Sequence, residues 1–182
     1  MRLARHLREP DRTFWSLTLA FALLDAATKR LAEDDHGLLR WLDHSLGGIV
    51  SFPLTYNTGA AFSLRYGVGE PAERWLQIAC TVWTLIFLYA LFRRVAYSAR
   101  TAVVGLGLMS GGGTGNLVDR VRHADGVVDF INVDVGVLRL FVFNLADVAA
   151  LAGAILLIWA LCRREIGPEE EDDGAAPETV GV

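Results

Sequence analysis

Apolar runs at or near the length of a bilayer-spanning helix recur in this 182-residue chain at residues 13–28, 75–92, 101–118 and 141–162. A helix needs about 20 apolar residues to cross the hydrocarbon core of a membrane. With 53% hydrophobic residues the chain could be one apolar-rich soluble domain or a small multi-span protein, and the distribution of those residues into long runs favours the second. The expected fold is all-α and integral to the membrane, with four transmembrane helices. The first run is short and contains Asp25, and the third is rich in glycine, so the second and fourth carry the signal most clearly.

The net charge of -4 conceals an asymmetry, because seven acidic residues lie from Glu165 onward. Residues 165–182 read as a disordered acidic tail, and residues 1–164 as one mildly basic membrane domain. No basic stripe with interleaved aromatics is present, so no nucleic-acid partner is expected. Cys80 and Cys162 lack metal-type spacing and fall inside apolar runs, which makes them small buried hydrophobes rather than a disulfide or a metal site. The arginine-bearing N-terminus followed by an apolar stretch has the outline of a signal peptide, but no small-residue cleavage site precedes Asp25 and Lys29, so it reads as an uncleaved first span.

Arginines cluster at alternating ends of the runs: Arg2, Arg5, Arg8 and Arg12 before the first, Arg93, Arg94 and Arg100 between the second and third, Arg163 and Arg164 after the fourth. The positive-inside rule makes those ends, and both termini, cytoplasmic. The connections 30–74 and 119–140 are then external. Asp25, Lys29, Asn116, Asp119, Arg120, Asp129 and Asp147 all gather toward that external face. If the fourth helix begins at residue 141, Asp147 lies six residues, or ~9 Å, inside its outer end, with Asn144 on the same face. A carboxylate in hydrocarbon costs about 3 kcal/mol or more, so Asp147 is a functional candidate by default.

Each motif has a structural reading as well. GLGLMSGGGTGN, residues 105–116, lacks the Lys-Ser/Thr of a phosphate loop, and Gly107, Gly111 and Gly115 recur as a small-residue stripe that lets membrane helices approach closely. Asn57-Thr58-Gly59 is a good turn; it is equally a strand edge able to grip an extended peptide. Asp129 in the short strand-like run GVVDFINV is an ordinary loop carboxylate unless it meets Asp147, 18 residues later, and an outer loop of that length can fold back onto the helix end. Two carboxylates sharing a partly desolvated site do not both ionise readily. One then holds a proton while the other draws a proton from water, the chemistry of aspartic proteases. The histidines are not grouped with a serine or cysteine, so neither a Ser-His nor a metal mechanism has obvious residues.

Taken together, DAATK (25–29), NTGAAF (57–62), GGGTGNLVDR (111–120), VVDF (127–130) and FNLAD (143–147) resemble the lipoprotein signal peptidases, the bacterial signal peptidase II family. One such motif is weak; these, in the family's order and near its spacing, are specific. The resemblance implies an inner-membrane aspartic endopeptidase, needing no cofactor or metal. It would cleave diacylglyceryl-modified prolipoproteins on the amino side of the lipidated cysteine, as a monomer in contact with membrane lipid. By motif, Asp129 and Asp147 are the implied catalytic pair. Asn57, Asn116, Arg120 and Asn144 form the implied polar shell, with Asp25 and Lys29 as a supporting group. A small extracytoplasmic β-structure is implied within residues 45–70. Phe141 and Val148 depart from the family's usual proline and small hydroxyl residue, which bears on substrate positioning rather than on the carboxylates.

The chief rival is a small transporter or ion-coupled channel using Asp147, Asn144 and Lys29. It requires polar residues through the full depth of the bilayer, yet the inner halves of the second and fourth runs, LIFLYALF and AILLIWALC, are apolar. A catalytically dead scaffold is the third reading, and the retained aspartates argue against it.

Overall fold

The computed structural model describes residues 9–34, 49–58, 70–95, 99–135, 138–139 and 142–163. The acidic tail, the N-terminal arginines Arg2, Arg5 and Arg8, and most of the segment after Thr58 lie outside the described residues, as do Arg164 and Phe141. The described residues form long helices α1 (Glu9–Glu33), α2 (Glu70–Phe92), α3 (Arg100–Arg122) and α4 (Leu145–Cys162), with short strands β1 (Val50–Ser51), β2 (Thr55–Asn57), β3 (Val127–Asp129), β4 (Asn132–Val135) and β5 (Leu138–Arg139) between them. Pro71–Phe92 and Leu145–Cys162 are long and apolar enough to cross a membrane. α1 and α3 are longer than the runs read from sequence, and their charged residues and glycines lower their hydropathy.

Helix α3 is the centre of the bundle. Its glycines would weaken a solvent-exposed helix by about 1 kcal/mol each relative to alanine, but here they admit neighbouring backbones. A Cβ at Gly112 would lie 2.2 Å from the Ala146 carbonyl oxygen, and one at Gly105 2.7 Å from that of Gly153, so α3 and α4 are in backbone contact. Gly107 and Gly111 face Leu17, Thr18 and Phe21 of α1 in the same way. The stripe of Gly107, Gly111 and Gly115 is therefore a packing device against α1, while Gly105 and Gly112 admit α4.

One end of the bundle is apolar. Phe14 of α1, Leu88 and Phe92 of α2, Ala102, Val103 and Leu106 of α3, and Ala160 of α4 form one buried cluster, in which the Phe14 and Phe92 rings stack at 4.1 Å. Large apolar side chains also point outward: Leu19 and Leu23 on α1, Trp83 and Phe87 on α2, Leu151 and Ile155 on α4. Such broad apolar faces suit a hydrocarbon surround. Cys80 and Cys162 are exposed, contrary to the buried positions expected for them, because they fall off the buried positions of their helices, Gln77, Leu88 and Phe92 of α2 and Gly153 and Ala160 of α4.

The opposite end carries the strands. β2 pairs antiparallel with β3, matching Thr55 with Asp129 and Asn57 with Val127, while β1, β4 and β5 form a separate antiparallel sheet in the order β1-β4-β5. The β-structure is thus not confined to residues 45–70: it is completed across the bundle by residues 127–139, because isolated strands this short need a partner to satisfy their backbone groups. Gly126, at φ 109°, directly precedes β3, and a Cβ there would collide with the Asn57 carbonyl oxygen, so only glycine allows this approach.

Candidate active site

Asp129 ends β3 and Asp147 lies in the first turn of α4, and three backbone hydrogen bonds bring these elements together. The Phe130 and Ile131 amides donate to the Phe143 carbonyl at 3.1 and 2.8 Å, and the Phe143 amide donates to Ile131 at 2.9 Å. This bridge delivers the next residue, Asn144, to the flank of Asp129. Asn144 is the N-cap of α4 rather than a residue inside it. Its Oδ1 accepts the Asp147 amide at 3.0 Å, while its own amide donates to Asp147 Oδ2 at 3.3 Å, a reciprocal capping box. The helix therefore starts later than the apolar run implied, and Asp147 sits at its positive end instead of a turn and a half deep. That position lowers the cost of holding a carboxylate there.

Asn144 also links the two aspartates. Its Nδ2 donates to Asp129 Oδ1 at 2.6 Å and lies 3.1 Å from Asn116 Oδ1 and 3.3 Å from the Val128 carbonyl. Asn57 Nδ2 donates to the other Asp129 oxygen at 3.0 Å; the two residues project from one face of the β2-β3 pair, two positions apart in register. Asn116 Nδ2 donates to Asp147 Oδ1 at 2.9 Å. Burial pushes the Asp129 carboxyl up to about 6; the hydrogen bond from Asn57 acts in the opposite direction and the charge of Asp147 adds to the rise.

Beneath the aspartates lies a buried ion cluster. Lys29 Nζ is 2.6 Å from Asp25 Oδ2, 2.7 Å from Asp119 Oδ2 and 2.9 Å from Asn116 Oδ1. Each anion has a second task. Asp25 Oδ1 accepts the Ala146 amide of α4 at 2.9 Å, and Asp119 Oδ2 accepts the Val128 amide of β3 at 3.2 Å. One ammonium thus joins α1 to the start of α4, to β3 and to the Asn116 that holds Asp147. Arg120 donates from Nε to Gln77 Oε1 at 3.1 Å and from Nη1 to the Asn116 carbonyl at 3.2 Å.

The profile of the signal peptidase (SPase) II family matches residues 17–163, which include every residue of this constellation. The chain belongs to that family. It is 42% identical over 101 residues to the lipoprotein signal peptidase of Geobacillus thermodenitrificans, covering 56% of this chain and 59% of the relative. It is 34% identical over 154 residues to that of Aquifex aeolicus, covering 84% of this chain and 87% of the relative. Among the relatives matched, the Geobacillus alignment therefore spans less than two thirds of the relative's length. A solved bacterial membrane enzyme is similar with a TM-score of 0.68 at 26% identity, over 82% of this chain and 92% of that one.

All eight residues proposed from sequence, Asn57, Asn116, Arg120, Asn144, Asp25, Lys29, Asp129 and Asp147, meet at this end of the bundle. Asp119, which the sequence places at the external face but not among the site residues, and Gln77, which it does not mark, complete the network. Asp119 lies in the same GNLVDR motif as Asn116, and its role comes from the Val128 amide that it accepts. Gln77 was visible as an amide within an apolar run. Among the described residues no group of three or more His, Cys, Asp and Glu could hold a metal ion. The space between the Asp25 and Asp119 carboxylates is taken by the Lys29 ammonium.

Proposed function

We propose that this protein is a four-span aspartic endopeptidase of the bacterial inner membrane that removes signal peptides from diacylglyceryl-modified prolipoproteins, on the amino side of the lipidated cysteine, with Asp129 and Asp147 as the catalytic pair. The observation that carries the reading is Asn144. It caps α4 with one end of its amide and donates to Asp129 with the other, so that two carboxylates on different elements face one small region.

In this arrangement one carboxyl is protonated and the other ionised. The ionised one accepts a proton from a water attacking the scissile carbonyl, while the protonated one donates to the carbonyl oxygen as it gains charge. Collapse of the tetrahedral intermediate passes a proton to the leaving amine and restores the pair. Asn57, Asn116 and Asn144 hold both carboxylates before the substrate arrives, so little reorganisation accompanies the reaction. The acyl chains of the substrate stay in the bilayer and hold the scissile bond near the interface, which supplies part of the required orientation. Arg12, Arg93, Arg94, Arg100 and Arg163 flank the apolar end, which supports placing that end in the cytoplasm and the aspartates at the outer face. A thiol label on Asp125→Cys, in a background lacking Cys80 and Cys162, should react from outside; reaction only from the cytoplasmic side would reverse this orientation. Transport finds no support, because the inner half of the bundle is filled by the apolar cluster around Phe14, Phe92 and Leu106.

The test is cleavage of a lipidated precursor by purified protein, beside the same precursor without its diacylglyceryl group. The lipidated form alone should be processed. Asp129→Asn and Asp147→Asn should each abolish cleavage, with the double variant no worse than either, since residues acting as a unit are non-additive. Near-normal cleavage by either variant would remove that aspartate from the reaction.

A further inference from the structure

Helix α2 turns most of its surface outward, yet its buried residues near the strand-bearing end are polar: Glu73 at 2% and Gln77 at 5% exposure, one turn apart on the seam that continues to Leu88 and Phe92. Burying a primary amide is costly unless both its donor and its acceptor are used. In Gln77 both are. Oε1 accepts from Arg120 Nε at 3.1 Å, and Nε2 donates to the Thr58 carbonyl at 2.9 Å. These partners come from different parts of the chain and flank the aspartates on two sides. Thr58 directly follows Asn57, which holds Asp129, and Arg120 bonds the backbone of Asn116, which holds Asp147. An apolar residue of the same length would take this partner from both the Arg120 Nε–H and the Thr58 carbonyl, so the amide ties the two together across the seam.

Resting on the endopeptidase reading above, we infer that Gln77 is a positioning residue for substrate binding: it fixes the distance between the exposed end of β2 at Thr58 and the Arg120 guanidinium, the span that an extended substrate backbone crosses to reach Asp129 and Asp147. The carboxylates do not depend on it. Asp129 is held by Asn57 and Asn144, Asp147 by Asn116 and its own capping box, and β2 is registered on β3 by its backbone ladder. Loss of Gln77 therefore leaves the reacting groups in place and loosens the groups that receive the peptide.

The experiment measures cleavage of a lipidated precursor by the full chain in lipid vesicles, with kcat and KM determined separately, and thermal unfolding recorded for every variant. Gln77→Met matches the side chain in length and removes both hydrogen bonds; KM should rise about tenfold while kcat stays within about twofold, the signature of lost binding shared by ground and transition states. Gln77→Glu keeps an acceptor for Arg120 but turns a carboxylate oxygen toward the Thr58 carbonyl, which releases that end of the tie, so its KM should also rise, by at least about threefold; this variant also carries the test if Gln77→Met fails to fold. Unchanged KM in the folded variants, or a fall in kcat alone that tracks a lowered unfolding midpoint, would overturn the inference and leave the endopeptidase reading standing. Failure of the unmodified chain to cleave the lipidated precursor would overturn both.

Discussion

Lys29 Nζ lies 2.7 Å from Asp119 Oδ2, between α1 and α3, with both side chains withdrawn from solvent. The contact matters for what lies beyond it: Asp119 accepts the Val128 amide beside Asp129, and Lys29 also reaches Asn116 beside Asp147. Removing the ammonium leaves Asp25 and Asp119 buried without their cation, which typically costs about 3–5 kcal/mol. Lys29→Met should therefore lower the unfolding midpoint of the purified protein markedly. It should also reduce cleavage at temperatures where the variant is still folded, since Asn116 Oδ1 loses one of its two donors and keeps only Asn144. Thermal unfolding followed alongside turnover checks both; full activity in a folded Lys29→Met protein would separate the ion cluster from the aspartates.

Asp129 provides a pH prediction whose sign follows from its surroundings. Its carboxyl is pushed up to about 6, chiefly by burial, so the pair retains a proton below that pH and loses it above. Activity that needs one protonated and one ionised carboxyl should decline as pH rises through that region, with an apparent value belonging to the pair. The Asn57 hydrogen bond favours the charged form of Asp129. Asn57→Ala removes that preference, so the alkaline limb of the kcat/KM profile should move to higher pH. A limb displaced to lower pH, or one that does not move, would exclude Asp129 as the group that holds the proton.

The glycines of α3 offer a matched pair. A methyl group at Gly112 would meet the Ala146 carbonyl oxygen, a fixed backbone atom one residue before Asp147, whereas one at Gly113 would meet the end of the Leu85 side chain at 3.0 Å. Overpacking of this kind typically costs about 1–3 kcal/mol. Gly112→Ala should displace the start of α4 and depress turnover more than tenfold, while Gly113→Ala should be absorbed by a shift of Leu85 with little effect. Turnover of the two variants at matched membrane levels decides the point, and equal activity would mean that α4 moves without disturbing Asp147.

The helices, the end of the bundle at which polar groups collect and the residues that meet there are legible in the sequence alone. Apolar run length and arginine placement are local properties that hydrocarbon enforces residue by residue, and the motifs around Asn57, Asn116, Asp129 and Asp147 carry their chemistry in short windows. Tertiary structure decided what spacing could not express. Asn144 looked like a polar residue sharing a helix face with Asp147; the Ile131-Phe143 bridge makes it the cap that begins the helix and the donor that reaches Asp129. The family resemblance puts the β-structure within residues 45–70 and the run around Asp129 is itself strand-like; what spacing does not express is that the two pair, because strands of two to four residues find their partners across the bundle. Cys80 and Cys162 looked buried by composition and face outward, since residues at apolar positions on a membrane helix meet either protein or lipid and only packing against α3 distinguishes the two. Gln77 and Asp119 stood in plain view, but a buried amide or carboxylate declares its purpose only through the partners it satisfies, and those partners lie 19 and 43 residues from Gln77 and, for Val128, 9 residues from Asp119.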